Sequence, residues 1–236
     1  MKKILLVCVL AMCALTSSAQ FMNSSQGVRK SSGVQSNEAP RVINSVKFTY
    51  SPMTMDGGNF FEDKDEMELN GLSLAWTQSR AILQNLPLYV EYGLGLQYSF
   101  KTDSQKIGDE YDSYNYKFSL NALSIKVPVG IMYRLQIPQT GVAIMPYAGF
   151  DFGCYALGKY KVEVSYEGET DEEEVDMFNE EEVGANRFIC DWHIGAKLAF
   201  NKFFVGVAYE GPIAKLYDEE IEIKMSQVNI SVGINF

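Results

Sequence analysis

After Leu15 the chain has no run approaching the ~20 consecutive apolar residues that a membrane-spanning helix needs. It is nearly as poor in the residues of metal and redox chemistry. Of four cysteines, Cys8 and Cys13 fall in the first nineteen residues, leaving Cys154 and Cys190 for the rest, too few for a disulfide framework or a Cys/His zinc spacing. One histidine, His193, must carry any imidazole chemistry. Basic residues are outnumbered, 20 against 30 acidic, and the formal charge of −10 argues against nucleic acid or anionic headgroups as partners. No phosphate-cradling glycine loop or EF-hand spacing occurs, so no cofactor or metal site is expected. None of this makes the protein soluble. The near-neutral mean hydropathy of −0.09 is also what transmembrane β-strands give, since they need only about ten residues each and alternate lipid-facing with lumen-facing side chains.

The start of the chain has the marks of export. Lys2 and Lys3, an apolar run from Ile4 to Leu15, and small residues at Ser17 and Ala19 read as a secretory signal peptide over 1–19. Its removal takes away two lysines and leaves 18 basic against 30 acidic residues, a net −12. Met12 before Cys13 does not suit a lipoprotein signal. Residues 20–40, rich in Ser, Asn and Gln and lacking any period, read as a flexible periplasmic leader, with one domain over 41–236.

That domain is patterned by parity. In LYVEYGLGLQYSF the even positions Leu88 to Phe100 are apolar and the odd positions Tyr89 to Ser99 are mostly small or polar. RFICDWHIGAKLAF repeats the pattern, with Ile189 the exception on the polar face. Eight such segments are predicted, near 41–51, 67–79, 88–100, 116–135, 142–164, 187–200, 203–216 and 225–236. The fourth changes phase near Ala122 and Leu123, which predicts a β-bulge there. Connections alternate as well: SPMTMDGGNFFEDKDE, KTDSQKIGDEYDSYN, SYEGETDEEEVDMFNEEEVGAN and DEEIEI are long or acidic, QIPQTG and NK are short, and SRAILQNLP is intermediate. Short periplasmic turns opposite long external loops are the asymmetry of outer-membrane barrels.

Alternation alone fits a soluble barrel with its apolar face inside. The glycines argue otherwise. Gly71, Gly93, Gly95, Gly130, Gly149, Gly153, Gly195, Gly206 and Gly233 share the polar face, which suits a crowded interior, whereas Gly158 and Gly211 depart from the rule. Leu94, Phe150, Phe152, Trp192 and Val232 then face acyl chains, with Tyr50, Tyr98, Phe100, Phe200 and Phe203 in interfacial girdles. The expected fold is all-β, an eight-stranded antiparallel up-and-down transmembrane β-barrel.

LSIKVPVGIMYRL (123–135) resembles the Ile-Pro-Leu strand of the outer-membrane β-barrel domain family that includes PorT-like proteins and the small barrels of OmpA and OmpX type, with Val127 and Val129 where Ile and Leu are usual. PYAGFDFGCYALG, NKFFVGVAYEGPIAKLY and SVGINF are similar to its later strands. The resemblance implies an eight-stranded outer-membrane barrel with lipid and the barrel-assembly machinery as partners. It further implies that the machinery reads the aromatic Phe236 as its signal, and it carries no catalytic residues.

The polar face collects Lys47, Lys126, Arg134 and Lys197 with Glu91, Asp151, Asp191 and Glu210. Four charges of each sign predict either an ion-paired plug, since buried charge must be paired, or a narrow charged channel for small solutes or ions. Arg134 is expected to be one of the buried pairs. His193 shares its face with Asp191 but has no serine beside it, so a structural role is expected and enzymatic activity is not. Ten acidic residues between Glu167 and Glu182 predict a solvated, self-repelling loop. For the fifth and sixth segments a pairing of Ala148 with Ala196 is expected. It sets Asp151 opposite His193, Phe152 opposite Trp192, Tyr147 opposite Lys197 and Cys154 opposite Cys190. A non-enzymatic structural or interaction barrel acting through its acidic loops, with its envelope partner unidentified, and a narrow channel are the two functional readings.

Overall fold

The computed structural model describes residues 40–56, 66–83, 86–109, 112–166, 169–179, 185–213 and 224–236. The signal peptide, the leader before Pro40 and the DEEIEI connection lie outside the described residues. The strands are β1 (Val42–Asp56), β2 (Glu66–Leu83), β3 (Leu86–Asp109), β4 (Asp112–Tyr133), β5 (Leu135–Gln136), β6 (Val142–Tyr166), β7 (Glu169–Asp176), β8 (Phe188–Phe200), β9 (Phe203–Pro212) and β10 (Lys224–Asn235). Eight close into an antiparallel ring in the order β1-β2-β3-β4-β6-β8-β9-β10, and β10 pairs back onto β1. Closure removes every edge from the wall, as a bilayer requires of backbone groups that have no water to meet. Near the seam, Phe236 donates its N–H to Asn44 O at 2.8 Å and leaves its ring 65 % exposed.

The exterior is apolar without interruption. Outward residues between Val46 and Tyr50, Leu72 and Trp76, Val90 and Tyr98, Leu123 and Tyr133, Ile144 and Cys154, Phe188 and Phe200, Phe203 and Tyr209, and Val228 and Ile234 include no charge. At ~3.4 Å per residue and ~40° tilt, β9 from Phe203 to Gly211 spans about 20 Å along the axis and β8 about 30 Å, bracketing the ~25 Å apolar band of such barrels. Tyr50 and Tyr98 lie toward the loop end and donate to Asn70 at 2.5 Å and Asn121 at 2.7 Å, while Phe200 pairs with Phe203 at the turn end. This is a lipid-facing surface.

The expected bulge in β4 is absent, and its even residues from Phe118 to Met132 point inward throughout. The extra residue is Ala156 on β6, between the pairs Leu123↔Leu157 and Ser124↔Tyr155. What changes along β4 is the surroundings. Above the level of Leu123 and Leu157 the outward face carries Lys117, Lys159, Lys161 and Glu163, and the inward face carries Phe118, Leu120 and Tyr160. Polarity inverts where the wall leaves the bilayer. The bulge also turns Gly158 inward beneath Phe178, and Gly211 stays on the outer face because the Trp192 indole lies over it.

The loop end differs from the expected loops. Residues 101–109 and 112–115 of KTDSQKIGDEYDSYN are drawn into the paired strands β3 and β4, and part of the acidic stretch forms β7, paired along β6. Self-repulsion is relieved because Lys159 pairs with Glu174 and Lys161 reaches Glu172 at 2.6 Å. Hydrogen bonds from Lys161 and Lys117 hold the Glu163 carboxyl below the usual carboxylate range. On the turn side, Gln139, Gly141 and Asn201 adopt the left-handed conformation that tight reversals use.

The expected β6–β8 register is off by one two-residue step. Ala148 faces Ile194, Phe150 faces Trp192, Phe152 faces Cys190, Tyr147 faces Gly195 and Cys154 faces Phe188, so faces match but the cysteines are not opposed, and both are free. In this register Gly149 is the ladder partner of His193, and an added Cβ there would come within 2.9 Å of Nε2.

Ile194→Arg, at the middle of the apolar band, is expected to destabilise the barrel by about 2–4 kcal/mol in vesicles, and Phe203→Arg at the turn end by about 0–1 kcal/mol. Urea unfolding followed by tryptophan fluorescence checks this; equal effects would mean that the band is not membrane-embedded.

Candidate functional site

Inward residues of β1, β3, β4, β6, β8, β9 and β10 converge on a lumen too narrow for bulk water, and they sort into layers. At the turn end Ile43, Tyr89, Met132, Met145, Ala199 and Phe204 form an apolar stopper. Tyr89 is fully buried and donates its hydroxyl to Pro40 O at 2.7 Å. At the loop end Met53, Met55, Leu69 and Leu120 form a second stopper, against which Met67, Phe118, Met177 and Met225 pack.

Charge is confined between them. Lys197 lies 2.6 and 2.8 Å from the Glu91 oxygens, Ser79 donates to Glu91 at 3.0 Å, and the ammonium sits 4.8 Å from the Tyr147 ring centre. Lys126 pairs with Glu210 and reaches Asp191 at 3.4 Å. His193 Nδ1 is 2.5 Å from Asp151 Oδ2. The expected contact therefore forms, but diagonally, because Asp191 stands opposite Asp151 in the ladder. Two carboxylates face each other there, one answered by Lys126 and the other by His193.

A hydrogen-bonded septum crosses the lumen. Lys126 of β4 meets Glu210 of β9, which accepts from Gln227 of β10 at 2.5 Å and from Asn229 at 2.9 Å, and Gln97 of β3 donates to Gln227 at 2.9 Å. Gln97, Lys126, Glu210 and Gln227 line both of two small cavities, about 40 Å³ on the loop side and about 60 Å³ on the turn side. Each holds a few waters at most. Lys47 lines the turn-side cavity near Glu91 and is not within ion-pair range of a carboxylate among the described residues.

Arg134 does not join the network. It sits between β4 and β5, where Nη2 donates to Gln136 at 3.1 Å and the buried Nε has no partner. The strand ends one residue earlier, at Tyr133, which carries Arg134 past the turn-end stopper to the rim. The interior thus holds three lysines and His193 against four carboxylates. The glutamines of the septum went unrecognised in the sequence, although their odd parity places Gln97 and Gln227 on the polar face; nothing local marks Tyr89 or Phe204 as stoppers. Among the described residues no cluster of His, Cys, Asp and Glu suits a metal.

No family model matches the chain and no curated protein is similar to it. Solved structures give distant likenesses. The attachment invasion locus protein Ail of Yersinia pestis is 14 % identical over 84 % of this chain and 100 % of its own, with a TM-score of 0.39. Neisserial surface protein A is 10 % identical over 82 % and 97 %, at 0.36, and the outer membrane enzyme PagL is 12 % identical over 79 % and 98 %, at 0.37. The barrel assignment rests on the closed ladder of this chain and its apolar exterior.

Lys126→Met leaves Glu210 and Asp191 buried without their cation and is expected to cost about 3–5 kcal/mol, most of it recovered when Glu210→Gln is added. Arg134→Ala, which loses one hydrogen bond at the rim, should cost about 1–2 kcal/mol. Equilibrium unfolding in vesicles measures all three; equal losses for Lys126→Met and Arg134→Ala would refute the septum's role.

Proposed function

We propose that the chain is a non-enzymatic outer-membrane barrel that neither conducts nor catalyses, and that acts by contact, through the sheet it raises above the bilayer. One observation carries this reading: apolar stoppers at both ends of the lumen, with a hydrogen-bonded septum between them. Such a lumen is a strut. Its ion pairs hold opposite walls of the ring together, and a rigid wall suits a base for the projecting strands. Above the apolar band β3, β4, β6 and β7 continue as one sheet whose outer face carries the ladder Lys117, Glu163, Lys161 and Glu172. These are the groups that a partner in the envelope or outside the cell would meet. In this reading residues 1–19 direct export, and the finer resemblance to PorT-like proteins would imply an involvement in protein secretion. His193 serves as a brace between β8 and Asp151 of β6.

Planar-bilayer recording of the purified protein is expected to give no steady single-channel current. Removing the hairpin residues 160–175 should leave heat-modifiable gel mobility unchanged, as befits a part that serves contact. A reproducible unitary conductance in the intact protein would overturn this proposal in favour of a narrow channel for small solutes or ions.

A further inference from the structure

The loop-end stopper has an unusual composition. Met67 of β2, Met55 of β1 and Met225 of β10 are direct ladder partners, so their side chains share the inward face of three adjacent strands. With strands about 4.8 Å apart, three thioethers stand abreast within a span of about 10 Å. Met53 occupies the next inward position of β1, and Met177, just beyond β7, packs against the same group. Three strands of the ring, β1 and β2 from one end of the sequence and β10 from the other, together with the segment just beyond β7, thus bring methionines to one place.

Methionine is a common filler of irregular apolar space, but two features here exceed filling. A void of about 10 Å³ remains among Met55, Met177, Met225 and Phe178. That is room for one small particle, and a water there would need two or more polar partners. The hydroxyls at its wall are already committed to sulfur: Ser99 donates to Met53 Sδ at 3.9 Å and Tyr155 to Met225 Sδ at 3.5 Å. Gln97 also donates to Met53 Sδ at 3.7 Å, whereas Tyr155 is the one donor to Met225 Sδ among the described residues and leaves its second lone pair open. Met67, Met177 and Met225 are half-buried.

Thioethers are neutral, soft and not protonated in water. They favour soft univalent cations over hard divalent ones. A single positive charge also suits a chain with an excess of acidic residues. We propose that Met55, Met177 and Met225, with Met67 beside them, form a binding site for one Cu(I) or Ag(I) ion at the outer mouth of the barrel. The site is independent of whether the lumen conducts.

The test is calorimetric titration of the purified protein in detergent with silver nitrate in chloride-free buffer. Cys154→Ser and Cys190→Ser are introduced first, since those thiols would bind silver themselves. The expected result is saturable binding of one Ag(I) per chain, weakened at least about tenfold in Met55→Leu/Met225→Leu with heat-modifiable mobility unchanged, and not displaced by Na⁺ or Ca²⁺. Methyl NMR of methionine-labelled protein without the leucine substitutions decides the matter even if that variant fails to fold: Ag(I) should shift the resonances of the mouth methionines and leave those of Met132 and Met145 in place. No saturable binding, undiminished binding in the folded leucine variant, or uniform shifts of all methionines would each overturn the proposal.

Discussion

A ring of eight strands in a bilayer leaves its inward side chains nowhere to go but against one another. The lumen is about as wide as the side chains that fill it, so a charge on one wall must be answered from the opposite wall. Lys197 and Glu91, and Lys126 and Glu210, are answers of this kind, while His193 and Asp151 meet between the neighbouring strands β8 and β6. The glycines follow from the same lack of space: Gly149 leaves the notch in which His193 lies, and β4 backbone approaches it on the other side. Even the facing pair Asp151 and Asp191 is tolerable because each carboxylate has a different partner to turn to, His193 for one and Lys126 for the other.

How much of this is readable in the sequence depends on the range of the cause. Period-two alternation is local, and it places all eight wall strands and separates the lipid face from the lumen face. Most of the polar residues that meet inside are identifiable by parity, including the Asp151 and His193 contact. Register is not local. A step of two residues preserves every facing, so parity alone does not choose between Ala148 opposite Ala196 and Ala148 opposite Ile194, the pairing that forms. Arg134 illustrates the complementary limit: its parity is right, but the strand ends before it, and strand ends depend on the neighbouring turn.

The phase change in β4 shows a pattern read correctly and explained wrongly. Apolar residues do occupy even positions before Ala122 and odd positions after it, yet the backbone continues without interruption. It is the medium that changes, from acyl chain to water, and Ala156 of β6 supplies the offset on the neighbouring strand. Above that level the chain obeys the rules of a water-soluble sheet, charged outside and apolar within. The acidic β7 belongs to that regime and is held by lysines of β6, although its composition alone reads as a loop.

The septum also has a kinetic meaning. Its partners lie far apart along the chain, with Lys126 and Glu210 separated by 84 residues, Lys197 and Glu91 by 106, and Gln97 and Gln227 by 130. None of these bonds can form within a hairpin, and the last of them joins β3 to β10, which become neighbours across the lumen only when the sheet curls shut. An open intermediate therefore carries buried-type charges with no counterpart, and it gains most of its compensation in a single late step. Closure of the ring is therefore the step that brings these distant partners together.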